Sequence, residues 1–322
     1  MKRLKAKFNK RLFIQILKFT VFALSIALLY NELFLKEDFS TFITRFKEGL
    51  VQVNITWLVI GVSLVFFNWG AEALKWKLLI ADYEKVRFFP AYRAILAGVF
   101  IGFFTPNRVG EFAGRLVYLK TDKKIEGALL TMSGNIAQLL CTVLFGLASI
   151  IYLYDQNPWP WVTWTSFFIT TSALLFLYFN LDRLSWLFRL VKVPRKLLRY
   201  FIAIKKLEKS RLASVMLISI GRYLVFALQY FFFFKAFHSD ITFFQTMVSL
   251  AAMFLTQTLL PTLAISEVTV RGSVALKTFA PYLQNDLIIL SVTYSIWLVN
   301  MLVPALTGGI LFLFNRSKDV GT

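Results

Sequence analysis

AGVFIGFFTPNRVGEFAGR (97–115) and AMFLTQTLLPTLAISEVTVRG (252–272) decide how this chain folds. Each opens with an apolar run containing small residues, is interrupted by a proline, and ends on a carboxylate followed four residues later by an arginine. Pro106 corresponds to Pro261, Glu111 to Glu267 and Arg115 to Arg271, with one residue inserted before the second carboxylate. Neither apolar run reaches the roughly 20 residues that a helix needs to cross the hydrocarbon of a bilayer. Each therefore reads as a re-entrant helical hairpin, which enters and leaves on one face.

Outward from these hairpins, six longer segments do reach spanning length: about 12–34, 54–80, 126–154, 161–181, 211–236 and 286–314. The first follows MKRLKAKFNKR, is too long for a signal-peptide core and lacks an A-x-A-like site, so it reads as an anchor. Composition agrees, with 58% apolar residues, 35 phenylalanines and only 16% charged residues. A soluble domain carries roughly 25% charged residues. The expected fold is an all-α polytopic membrane protein with about six full spans and two opposed hairpins.

The net charge of +19 is compatible with that reading once its distribution is traced. Six Lys/Arg fall in the first eleven residues, and 182–210 holds nine against two acids. The loops DQNPWP (155–160), FHSD (237–240) and PYLQND (281–286) contain no Lys or Arg. Basic loops stay cytoplasmic, so both termini are expected inside a bacterial inner membrane. The connector 182–210 interleaves apolar and basic residues, which suits the anionic lipids of the cytoplasmic leaflet. The same pattern argues against nucleic acid as partner, since no RNA-binding motif accompanies it. This orientation closes only if 94–121 turns back on the cytoplasmic side and 242–280 on the external side. The order span, connector (36–53 or 182–210), span, hairpin, span then occurs twice. A single transmembrane domain of two inverted halves, about 1–155 and 156–322, is expected. In such folds, interrupted helices at matching places mark the binding site.

Chemistry is narrowed further by what the chain lacks. One His (His238, in a polar turn) and one Cys (Cys141, in an apolar run) exclude a His/Cys zinc site, an intrachain disulfide and a Ser-His-Asp or Cys-His arrangement. No phosphate loop, dinucleotide fingerprint or nucleophile elbow is present. No cofactor or metal is expected, and an enzymatic role is disfavoured, with Glu111 or Glu267 acting as an intramembrane base the least favoured scheme. The informative residues are the intramembrane charges, which are costly in lipid and are kept for structure or for function. Glu111–Arg115 and Glu267–Arg271 have the spacing of helical ion pairs, or they line a polar cavity for a head group. Arg108 has no carboxylate four residues away and is the best phosphate ligand, since a guanidinium fork matches phosphate oxygens. Arg222 lies midway along its span and either joins that cavity or holds the Glu267 hairpin. Glu72 and Lys75 read as an interfacial pair near a helix end, and Trp159, Trp161 and Trp164 as an aromatic belt. Thr105-Pro106 reads as a cap with a first-turn proline, and Gly98 and Gly102 as a surface for close helix approach.

The run FFTPNRVGEFAGRLVYL resembles the P-x-R-x-G-E-x-x-R signature of the lysylphosphatidylglycerol synthase/flippase transmembrane family, through Pro106, Arg108, Gly110, Glu111 and Arg115. The second motif of that family, P-x-x-G-G-x-G-x-x-E, is kept at Pro261 and Glu267, with LAIS where the glycines stand. Where the family often carries Glu-Arg and Asp in the next span, this chain has Gly134, Asn135 and Gln138. The resemblance implies a flippase-like protein that moves a phospholipid or lipid-linked head group. Its alternative is a non-catalytic membrane subunit that presents lipid to a separate envelope-biosynthesis enzyme. Aminoacyl transfer, which needs a further soluble domain, is not implied.

Overall fold

The computed structural model describes residues 53–105, 108–120, 124–154, 158–180, 207–259 and 267–314. The anchor 12–34, nearly all of both connectors, Pro106 and Pro261 lie outside them. The described residues form helices and turns, with no strand among them. The helices are α1 (Ile55–Ile80), α2 (Phe88–Phe103), α3 (Gly110–Leu116), α4 (Lys124–Tyr154) and α5 (Pro160–Phe179). They continue with α6 (Lys209–Ala236), α7 (Phe243–Thr258), α8 (Glu267–Phe279), α9 (Asp286–Trp297) and α10 (Val303–Phe314). Five helical segments are long and apolar enough to cross a membrane: α1, most of α4, α5, α6 and the continuous run from α9 through α10. These match five of the six expected spans to within two residues at the helix ends. The chain is a multi-pass membrane protein. α5 buries only Tyr178 and is otherwise exposed or partly exposed, as expected of a helix that faces lipid.

Lipid tails remove most of the hydrophobic drive for helices to associate, so close packing and polar contacts must hold them together. The pair α1 and α6 illustrates both. They run antiparallel: Asn54 N donates to the Ala236 carbonyl at 2.9 Å at one end, and Arg211 is ion-paired to Asp82 at the other. Between these ends, Gly61 leaves room for the ring of Phe233. The Asp82–Arg211 pair is partly solvated, with the Asp82 side chain 43% exposed. Asp82→Asn is accordingly expected to change unfolding free energy by less than about 1 kcal/mol, read from denaturation in detergent micelles.

The 97–115 stretch forms two antiparallel arms, α2 and α3, joined backbone to backbone by glycine. A side chain added at Gly114 would lie 2.6 Å from the Ala97 carbonyl oxygen, and one at Gly98 2.9 Å from the Glu111 carbonyl oxygen. The small-residue surface expected at Gly98 and Gly102 is thus used within the hairpin itself. Thr105 ties the turn: its Oγ1 accepts from Gly110 N at 2.7 Å and donates to the Gly102 carbonyl at 3.1 Å. The short helix therefore begins at Gly110, later than a proline-initiated helix would.

The two arm pairs pack crosswise in the bundle. α2 lies against α10, where Gly308 admits the Leu96 backbone; α7 lies against α4, where Gly146 admits Leu255 and the Ala251 carbonyl. α7 also packs on α8. Between α9 and α10 the run widens into a π-helical turn, Leu298–Leu302. Pro304 accounts for it: proline offers no N–H to the carbonyl of Asn300, and its ring crowds that carbonyl.

Candidate functional site

α1 carries a polar stripe through an otherwise apolar span: Asn68, Glu72 and Lys75, on one face at spacings of four and three residues. All three are buried, Glu72 at 2% and Lys75 at 1% exposure. Glu72 and Lys75 are therefore part of the protein interior, in contrast to the interfacial pair expected from their place near the helix end. Glu72 joins three cations from three elements. Its Oε1 accepts from Arg115 Nη1 at 3.0 Å, and its Oε2 accepts from Arg222 Nη1 at 2.6 Å. Lys75 Nζ lies 2.7 Å from the same Oε2.

Arg115 also donates through Nη2 to Glu111 Oε2 at 3.0 Å, so the expected helical pair is formed and is extended to Glu72. Arg222 takes Glu72 and Asn68 as partners. Its Nε donates to Asn68 Oδ1 at 2.6 Å, and the guanidinium lies over Trp69 and Phe226, 5.2 and 5.8 Å from the ring centres. Behind it runs a relay of amides. Asn68 Nδ2 donates to Asn300 Oδ1 at 3.1 Å, Asn300 Nδ2 to Gln229 Oε1 at 2.7 Å, and Gln229 Nε2 to the Gly61 carbonyl at 3.0 Å. The relay connects Arg222 to the π-helical turn.

The charged part of this network, without Lys75 and the amide relay, borders a cavity of about 320 Å³ between α1, α3, α4, α6 and α7. Arg108, Glu111, Arg115 and Arg222, all singled out from the sequence, line it together with Glu72. Arg108 has a left-handed backbone, φ 56°, which costs a non-glycine residue roughly 1–2 kcal/mol. Arg271 lies half-buried on α8 and is not among the described residues lining this cavity. Glu267 opens α8, with its side chain outside the described residues. Among the described residues no cluster of His, Cys, Asp and Glu has the makings of a metal site.

Sequence reasoning missed the roles of Glu72, Asn68, Gln229 and Asn300. The signal for the first two was the polar stripe on one face of α1, since a single polar residue in a span is common and three in register are not.

A family model described as the lysylphosphatidylglycerol synthase TM region matches residues 15–266. The chain belongs to that family. No curated protein and no solved structure matches it. The interval matched to the lysylphosphatidylglycerol synthase TM region contains the whole Glu72–Arg115–Arg222 cluster and ends one residue before α8.

Proposed function

We propose that the protein moves a phospholipid or lipid-linked head group between the leaflets of a bacterial inner membrane, with both termini cytoplasmic. The observation that carries this reading is a cavity lined by three arginines within a bundle of spanning helices. Guanidiniums are the groups of choice for phosphate, and ionisable side chains kept inside a membrane bundle mark substrate or ion pathways. The family to which the chain belongs is named for a phosphatidylglycerol derivative, which supports a lipid as the cargo.

Two inverted halves, each with a re-entrant hairpin, would supply the movement. Three observations support that arrangement. α1 and α6 pair antiparallel; each is followed by a helical arm pair; and each of the leading arms, α2 and α7, packs on the last span of the other half. Rocking one half against the other would carry the head group past a fixed cluster of charges. Arg108, Arg115 and, in the second half, Arg271 would contact phosphate, with Glu111 and Glu267 orienting them.

The test is head-group accessibility in reconstituted vesicles containing lipid with a reporter on the head group. Wild-type protein is expected to expose inner-leaflet label to an impermeant quencher well above empty vesicles. Absence of movement across phosphatidylglycerol, phosphatidylethanolamine and phosphatidylinositol would remove the transport reading. Capture of a cytoplasmic transferase by crosslinking would then favour a subunit that presents lipid. Arg108→Gly separates fold from function within the same assay. It relieves the left-handed backbone, which offsets the side-chain interaction lost, so thermal unfolding is expected to change little, while the lost guanidinium lowers movement about tenfold. Arg222→Lys retains a charge near Glu72 but loses the fork that holds Asn68, and is expected to lower movement while the protein stays folded.

A further inference from the structure

The described wall of the cavity has a definite electrical sign. Three guanidiniums line it against two carboxylates, and the ammonium of Lys75 sits behind Glu72. Even without Lys75 the wall is positive. The carboxylates are, moreover, already engaged: both oxygens of Glu72 hold protein cations, and Glu111 gives Oε2 to Arg115. An ammonium arriving on a ligand would have to compete with an arginine for them.

Facing these charges, α4 presents Asn135, Gln138 and Thr142, three and four residues apart and so on one helical face, joined by Thr258 of α7. This part of the wall is polar and uncharged. Several of the lining side chains have unmet hydrogen-bonding capacity among the described residues: Gln138 Oε1, Tyr223 Oη and Trp69 Nε1 are buried without a partner. Tyr223 and Trp69 are only 1% and 4% exposed. Such enclosed atoms are out of a ligand's reach, so the groups that can meet a ligand's hydroxyls are the exposed or partly exposed amides and hydroxyls of Asn135, Gln138, Thr142 and Thr258. The volume, about 320 Å³, suits a head group without its acyl chains, and the 45% exposed Leu139 at the rim leaves those chains toward lipid.

We propose that the site takes a net-anionic phosphate head group whose remainder is uncharged and hydroxyl-bearing, of the glycerol-phosphate or glycosyl-phosphate kind, and discriminates against head groups of net positive charge. This rests on reading the cavity as a lipid site, but it concerns binding and can be tested apart from movement.

The full chain is placed in phosphatidylcholine nanodiscs with fluorescent-tailed phosphatidylglycerol, and unlabelled competitors are added. Phosphatidylglycerol is expected to displace the probe about tenfold more effectively than lysyl-phosphatidylglycerol, whose two amines reverse the net charge. Water-soluble glycerol 3-phosphate is expected to compete more weakly than phosphatidylglycerol, since it lacks the membrane anchor. Asn135→Asp adds a carboxylate on the exposed part of the wall and is expected to narrow the preference several-fold with an unchanged unfolding temperature. Equal displacement by lysyl-phosphatidylglycerol, failure of the probe to bind, or an unaltered preference in the folded Asn135→Asp protein would each overturn the proposal. Glycerol 3-phosphate competing as well as the lipid would overturn its lipid component. Selective binding with no movement in vesicles defeats transport and leaves the charge preference standing; movement with unselective binding does the reverse.

Discussion

Glu72→Gln is expected to destabilise the protein by about 3–5 kcal/mol, because it leaves buried cations without their counter-charge. The substitution keeps shape and volume and removes only the negative charge. Arg115, Arg222 and Lys75 all meet at this carboxylate. Glu111 hydrogen-bonds Arg115 and not Lys75 or Arg222, and Asn68 offers Arg222 an uncharged acceptor. Thermal unfolding in detergent micelles, followed by circular dichroism, measures the loss. Glu111→Gln is expected to cost less, since Arg115 retains Glu72. A compensated variant separates stability from function: Glu72→Leu, Lys75→Met, Glu111→Gln, Arg115→Leu and Arg222→Met together remove every charge of the cluster. Such replacements are often neutral for stability, so this variant is expected to regain most of the unfolding temperature while lipid movement stays abolished. Recovery of both would make the cluster a structural tie alone.

The second large effect is expected at the hairpin. In Gly114→Ala the new methyl group would meet the Gly98 Cα at 2.5 Å and the Ala97 carbonyl oxygen at 2.6 Å. Both are backbone atoms, so no side chain can rotate away and the arms must separate. Overpacking of this kind costs about 1–3 kcal/mol. The functional loss is expected to exceed the loss of stability, because moving α3 displaces Glu111 and Arg115 from the cavity. Gly221→Ala is the control. Nothing lies within 4 Å of its added methyl group, and relief of glycine's backbone entropy is expected to raise stability by about 0.5–1 kcal/mol. A folded Gly114→Ala protein with full lipid movement would show that the close approach of the arms is unimportant.

These two predictions rest on features of unequal legibility in the sequence. The Gly98/Gly102 surface, the break after Phe103 and the Glu111–Arg115 pair are local: their partners lie within some twenty residues, so spacing along the chain reveals them. The bounds of five spans were legible for the same reason, since hydropathy is a property of consecutive residues. The role of Glu72 was not. With Lys75 three residues on, it has the pattern of a self-sufficient pair, whereas Arg115 and Arg222 stand 43 and 150 positions away. The relay is more distant still, Asn68 and Asn300 being 232 positions apart. Uncharged amides in spans give no periodic signal by themselves. Arg222, midway along its span, was open to several carboxylates, and helix packing alone selects Glu72.

The widening of the last span at Leu298–Leu302 follows from Pro304 and was legible in principle. Its consequence, the placement of Asn300 between Asn68 and Gln229, depends on the antiparallel pairing of α1 and α6 and emerges only in the folded bundle.

On the proposed function, a lipid head group occupies the cavity bounded by Glu72, Arg108 and Arg222. A photo-reactive amino acid in place of Asn135, on the cavity wall, tests it in vesicles of phosphatidylcholine containing phosphatidylglycerol; the same group in place of Phe168, on the exposed face of α5, reports ordinary lipid contact. Phosphatidylglycerol enriched over its share of the membrane is predicted at position 135, with that enrichment lost on Arg222→Gln and no enrichment at position 168. Lipid captured at position 135 in the proportions of the bulk membrane, and unaffected by Arg222→Gln, would mean that the cavity is not a head-group site.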